Sequence, residues 1–195
     1  IAAANQALDA IKELGGADTP QLKAAKGEAL ICRAYAHFVL VNIFCQQYDP
    51  NYPDDMGIPY MEKAETELDP KYERGTVAEV YAKIEKDIEE GLPLIDDAIY
   101  SVPKYHFNRK AAYSFAARFF LYYQKWDKAA EYASEALTNA PESQLRDYEA
   151  LLEYPMNNGS TQNTAATYYI STDLPCNYLL ATAYSSSGTY FGGYS

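Results

Sequence analysis

Apolar positions recur at helical spacing through most of the chain. In residues 2–14, Ala4, Leu8, Ile11 and Leu14 share one face, and Gly15–Gly16 then end a first helix by admitting left-handed backbone. Thr19 and Pro20 are suited to the N-cap and first turn of a second helix reaching Cys45. Its stripe reads Leu22, Ala25, Ala29, Cys32, Ala36, Leu40 and Ile43, and from Ala34 onward it is apolar on nearly every side, the pattern of a central, buried helix. Arg33 and His37 interrupt that run. A buried charge needs a partner, so a carboxylate on Arg33 and a hydrogen-bonded core histidine are expected. Thr76 and Glu79 form a capping box. After it, Val77, Val80, Tyr81, Ile84, Ile88 and Leu92 line one face of a third helix, Lys83, Glu85, Lys86, Glu89 and Glu90 the solvated one, and Pro93 closes it.

Residues 108–141 predict two antiparallel helices joined at Gln124–Lys125, with Asn108 as N-cap. With Lys110 as first position, Tyr113, Ala116, Ala117 and Phe120 occupy the fourth, seventh, eighth and eleventh places of a helical-hairpin repeat. Ala129, Ala133, Ala136 and Pro141 occupy the twentieth, twenty-fourth, twenty-seventh and thirty-second. That is tetratricopeptide spacing, in a degenerate copy. Small residues let the helices approach, and Trp126 is expected among the large core fillers. One hairpin cannot bury its own face, so neighbouring helices must cover it. The fold class is therefore mainly all-α: helical hairpins stacked into an α-α superhelix, with long irregular loops. After Pro141 a short helix with Leu145, Tyr148 and Leu152 is expected. Residues 1–153 form the helical domain and 154–195 a loop-rich segment. There charge almost vanishes, and AATYYIST (165–172) and NYLLATAY (177–184) suit short strands.

Between the second and third helices lies a long irregular segment, residues 46–75, broken by Pro50, Pro53, Pro59 and Pro70. Such a loop inside a compact domain is commonly functional, and its tyrosines argue against disorder.

Composition narrows the function. A net charge of −11 disfavours nucleic acid and anionic membrane surfaces as partners. Three cysteines without CxxC spacing give neither a zinc site nor a disulfide framework. Asp49, Asp54 and Asp55 lack the spacing of a calcium loop, so no metal or other cofactor is expected. No segment is expected to reach the roughly 20 apolar residues of a membrane span. Ile1 falls inside helix-like sequence, so the natural N-terminus is expected further upstream.

Catalysis finds little support. His37 and His106 are the only histidines, no nucleophile elbow is present, and no carboxylate pair stands in contrasting settings. No catalytic residue is assigned. The 20 tyrosines suit carbohydrate instead. A pyranose ring needs flat aromatic faces, and its hydroxyls need amides and carboxylates. Tyr48, Tyr52, Tyr60, Asp54 and Asp55, beside Gln46, Gln47 and Asn51, offer both. Tyr168, Tyr169, Tyr178, Tyr184, Tyr190 and Tyr194 offer a second platform. Periodicity alone equally supports a repeat scaffold that grips a peptide.

Three stretches in order resemble the SusD/RagB family of outer-membrane nutrient-binding lipoproteins: GEALICRAYAHFVLVNIFCQQY (27–48), GIPYMEKAETE (57–67) leading into RGTVAEVYAKIEKDIEEGLPLI (74–95), and FNRKAAYSFAARFFLYYQKWDKAAEYA (107–133). Cys45 stands where the family favours glycine. The resemblance implies a lipid-anchored glycan binder on the extracellular face of the outer membrane. It implies that sugar is handed to a TonB-dependent, SusC-like transporter, without a reaction, and that the helical repeats are the scaffold.

Overall fold

The computed structural model describes residues 1–68, 70–137, 141–154, 165–171 and 173–178. Five helices make the body: α1 (Ala2–Glu13), α2 (Pro20–Phe44), α3 (Val77–Gly91), α4 (Arg109–Tyr122) and α5 (Trp126–Ala136). Two short ones follow, α6 (Tyr148–Leu152) and α7 (Ala165–Tyr169). Among the described residues the β pairing is one isolated antiparallel bridge, Met56–Thr76, so the fold is all-α.

The helix boundaries follow local chemistry. Thr19 Oγ1 accepts the Leu22 N–H with Pro20 in the first turn, Thr76 and Glu79 complete their capping box, and Asn108 Oδ1 accepts the Ala111 N–H. Gly15 and Gly16 take φ of 95° and 103° after α1. Helices α2 and α3 run antiparallel: Gly27 meets Gly91, Arg33 meets Asp87, and Asn42 meets the Tyr81 hydroxyl. The first crossing is close enough that a Cβ on Gly27 would lie 2.8 Å from the Gly91 carbonyl oxygen. Helices α4 and α5 form the second pair. Their joint turns at Gln124, a non-glycine residue at φ 61°. Phe120, Ala129 and Ala136 are buried as the repeat requires. The pairs share one core in which Phe38 meets Phe115, Phe119 and Tyr122 edge-on, with centroids 5.3–5.9 Å apart, and Tyr81 packs on Phe119. At its edge, Glu85 on α3 takes Lys125, the residue before α5, and Lys128 of α5 at 2.6 and 2.8 Å. Burial pushes the Glu85 carboxyl up, and the two ammonium groups more than offset it, leaving it below its usual value.

Several expectations are corrected. The most buried stripe of α2 is Ala24, Gly27, Ile31, Ala34, Phe38 and Val41, while Ile43 is exposed. A helix apolar on all sides carries no periodic signal for its rotation, and its neighbours decide it. By length and mean hydropathy α2 could also cross a membrane, contrary to expectation. Half of its most apolar window is buried inside the molecule, the setting of a core helix. Trp126 is 59 % exposed. It is the first residue of α5, and Phe120 and Tyr132, 5.2 Å apart, take the filling role. The short helix after Pro141 forms, yet Leu145, Tyr148 and Leu152 are exposed. Residues 165–169 are helical, not extended; with no strand beside them among the described residues, one turn of helix satisfies backbone groups that a lone strand would leave unpaired. Beyond Tyr178, the second expected strand and Tyr184, Tyr190 and Tyr194 lie outside the described residues.

Candidate functional site: a polar, tyrosine-lined cleft

The segment after α2 is irregular but firmly attached. Asp49 Oδ1 accepts the backbone N–H and side-chain amide of Asn51, both at 2.9 Å, which sets an Asx turn. Tyr52 N–H to Asp49 O and Asp55 N–H to Tyr52 O continue it as two tight turns. The exit is tied to the start of α3, since Val77 N–H donates to Asp55 O and Gly57 N–H to Gly75 O, each at 2.7 Å. A Cβ on Gly57 would fall 2.6 Å from Thr76 O, so only glycine permits this approach. The entry is held by Tyr48, whose ring stacks on Tyr81 at 5.0 Å and meets Tyr123 edge-on at 4.7 Å. Its carbonyl accepts from Gln124 Nε2 at 3.3 Å.

These ties shape an open cleft of about 590 Å³ lined by Gln46, Gln47, Tyr48, Asp49, Tyr52, Asp55 and Gln124. Tyr52 is 64 % exposed and presents a free aromatic surface. Gln46 and Gln47 are exposed, and neither their amides nor the Asp55 carboxylate has a partner among the described residues. The cleft therefore offers an aromatic face, amide donors and acceptors, and carboxylate acceptors around one hollow, a set matched to a polyhydroxylated ring.

The expected site residues separate into groups. Tyr48, Tyr52 and Asp55 meet in the cleft, Tyr48 half-buried as its inner wall. Asp54 is exposed and outside the lining. Tyr60 faces a different groove, of about 570 Å³. It stacks on His37 at 3.8 Å, and its hydroxyl donates to Asp87 Oδ2 at 2.6 Å. Burial first, then the Asp87 charge, drive its phenol well above the ordinary tyrosine range. Tyr168 stacks on Tyr154 at 4.5 Å, and Tyr169 lies under the Arg146 guanidinium, 3.7 Å from its ring centre. Gln124 was missed because it lies 76 residues from Tyr48. Its one local signal is the side-chain-bearing residue at a left-handed joint.

Behind the loop sits a buried polar group. Arg33 binds Asp87, His37 Nε2 accepts the Met61 N–H at 2.9 Å, and Asn5 Nδ2 donates to the carbonyls of Met61 and Lys63 at 2.9 Å each. Because His37 Nε2 accepts, Nδ1 carries the proton and donates to the Arg33 carbonyl at 2.8 Å. Burial, partly opposed by that backbone bond, lowers the imidazole to about 4, so it is neutral in the fold. Burial likewise pushes the Cys32 thiol up to about 12, the setting of an inert core cysteine. Among the described residues no group of three or more His, Cys, Asp or Glu side chains is placed to hold a metal ion.

Stacked antiparallel helix pairs with an open, tyrosine-lined cleft on an inter-helix loop define a helical-repeat scaffold. The family model of SusD-like proteins, described as starch-binding and associating with the outer membrane, matches residues 1–121, and the chain belongs to that family. The fold is similar to a SusD superfamily protein from Bacteroides thetaiotaomicron (TM-score 0.61, 21 % identity, 83 % of this chain and 36 % of that one). It is similar to a SusD-like carbohydrate binding protein from Bacteroides vulgatus (0.61, 22 %, 86 % and 37 %). It is also similar to a laminarin binding SusD-like protein (0.57, 20 %, 83 % and 34 %). The chain thus spans little more than a third of the length of these proteins. No curated protein matches its sequence.

Proposed function

We propose that this protein binds oligosaccharides without altering them, and that the cleft of Tyr48, Tyr52, Asp55 and Gln124 contributes the site. The carrying observation is the cleft itself: an exposed tyrosine converges on one hollow with amides and a carboxylate that have no partner among the described residues. Family membership supports the same reading, and so does the laminarin-binding relative of like fold. In this reading the bound sugar passes to a TonB-dependent transporter of the SusC kind. A lipid anchor outside residues 1–195 holds the protein at the extracellular face of the outer membrane. The helix pairs are then the rigid support that keeps the loop in shape.

Calorimetry of the full-length protein against neutral oligosaccharides tests it. Binding to at least one is expected, weakened about tenfold or more by Y52A and by D55N, as for truncation of a central contact residue. Heat with none of a broad set, or binding that both variants leave intact, removes the cleft from the reading.

A further inference from the structure

A smaller hollow, of about 280 Å³, opens between α2 and α4 and has a different chemistry. Tyr35, Phe107, Phe115 and Tyr178 wall it, and Ser114, Arg118 and Asn177 are polar positions of its lining, the Asn177 amide already held by Tyr169, Ser171 and Arg146. Tyr35 lies 5.5 Å from Phe107 and 5.2 Å from Phe115, ring centre to ring centre, so the wall is braced. Yet Tyr35 keeps 40 % of its surface open. Ser114 and Arg118 are four residues apart on α4 and so project from one face.

Arg118 is the unusual member. The other four arginines are engaged: Arg33 with Asp87, Arg74 with the Gly57 carbonyl, Arg109 with Glu135, and Arg146 with Asn177 and the Tyr169 carbonyl. Arg118 has no hydrogen-bond, ion-pair or ring partner among the described residues, although the chain holds 27 acidic side chains to 16 basic ones. The Ser114 hydroxyl is likewise uncommitted. The Lys110 ammonium stands 5.6 Å from the Tyr178 ring centre and adds positive charge at that wall. Among the described residues no acidic side chain lines this hollow, whereas Asp49 and Asp55 line the Tyr48 cleft. The linings of the two sites therefore differ in charge, negative in the cleft and positive here.

We propose that the hollow between α2 and α4 is a separate site for an acidic sugar residue, a hexuronate. The guanidinium of Arg118 pairs with the carboxylate, Ser114 takes a ring hydroxyl, and the aromatic wall covers the apolar face. The carboxylates of the Tyr48 cleft disfavour the same ligand. At 280 Å³ against 590 Å³, the hollow takes one ring where the cleft takes a chain.

The test is titration of the full-length protein with trigalacturonic acid and, separately, with neutral galactotriose. The acidic trisaccharide is expected to bind, about tenfold more weakly in R118Q, the usual loss for a charged hydrogen bond. R118K is expected to retain part of the affinity, since it keeps the charge without the planar fork. Binding is expected to weaken as salt rises. Y52A is expected to leave acidic binding unchanged, so failure of the Tyr48 cleft and failure of this site are told apart. R118Q lies on an exposed helical position, and an unchanged melting curve checks that it folds. Absence of binding to trigalacturonic acid overturns the proposal. So does binding that R118Q leaves unchanged while the melting curve is intact.

Discussion

Arg33 and Asp87 face each other across the α2–α3 interface through two parallel bonds, Nε to Oδ2 and Nη2 to Oδ1, both 2.7 Å, with both side chains nearly out of solvent. The same guanidinium reaches Asn5 Oδ1 and the Glu62 carbonyl, at 3.2 and 3.3 Å, and Tyr60 donates to the same carboxylate. One ion pair thus joins α1, α2, α3 and the loop that follows the cleft.

Removing one partner leaves a buried charge without compensation. D87A is expected to cost about 3–5 kcal/mol in chemical denaturation, and the apolar double variant R33M/D87L markedly less, because two desolvated charges leave together. A D87A loss below about 1 kcal/mol would show that water reaches the pair and that it does not hold the loop.

His37 makes stability depend on pH. Its folded value, about 4, is below the 6.5 of a free imidazole. Between these values the unfolded chain binds a proton that the folded chain refuses. The contribution is full above pH 6.5, falls as pH drops, and is lost by about pH 4. The limiting slope is about 1.4 kcal/mol per pH unit. H37Q is expected to lose this slope and, at neutral pH, about 1–3 kcal/mol for the disturbed Met61 bond. Parallel stability curves for the two proteins between pH 4 and 6.5 would refute the neutral assignment.

How far the sequence revealed this molecule depends on the range of each signal. Caps at Thr19, Thr76 and Asn108 were legible because donor and acceptor lie within one turn. The hairpin was legible because its spacing is a local pattern. The rotation of α2 was not, since apolar side chains surround it. The cleft was half legible: Tyr48, Tyr52 and Asp55 belong to one loop, but Gln124 comes from another helix pair. Tyr60 read as a platform because Asp87, its partner, is 27 residues away.

The α2–α3 crossing sets two stability effects against each other. Alanine in place of a mid-helix glycine ordinarily gains about 1 kcal/mol. At Gly27, however, the new Cβ would meet Gly91 O at 2.8 Å and Leu94 Cβ at 2.9 Å. Backbone cannot yield as a flexible side chain does, so G27A is expected to destabilise by about 1–3 kcal/mol net. A thermal melt showing stabilisation would mean the helices can move apart at little cost.

Tyr52 and Tyr60 sit in one loop with opposite surroundings, and that contrast separates binding from folding. Tyr52 is 64 % exposed on the cleft, with no ring or hydrogen bond from its side chain to the described residues. Truncating it removes little native packing, so Y52A is expected to change stability by no more than about 0.5 kcal/mol while weakening oligosaccharide binding. Tyr60 is stacked on His37 and bonded to Asp87, away from the cleft. Y60F keeps the ring and deletes only the bond to the charged acceptor, so it is expected to cost about 1.5–3 kcal/mol of stability and leave affinity unchanged. Paired denaturation and calorimetry on both variants should give this crossed pattern. If Y60F weakens binding as strongly as Y52A without loss of stability, the sugar site lies in the groove around Tyr60 rather than in the cleft around Tyr52.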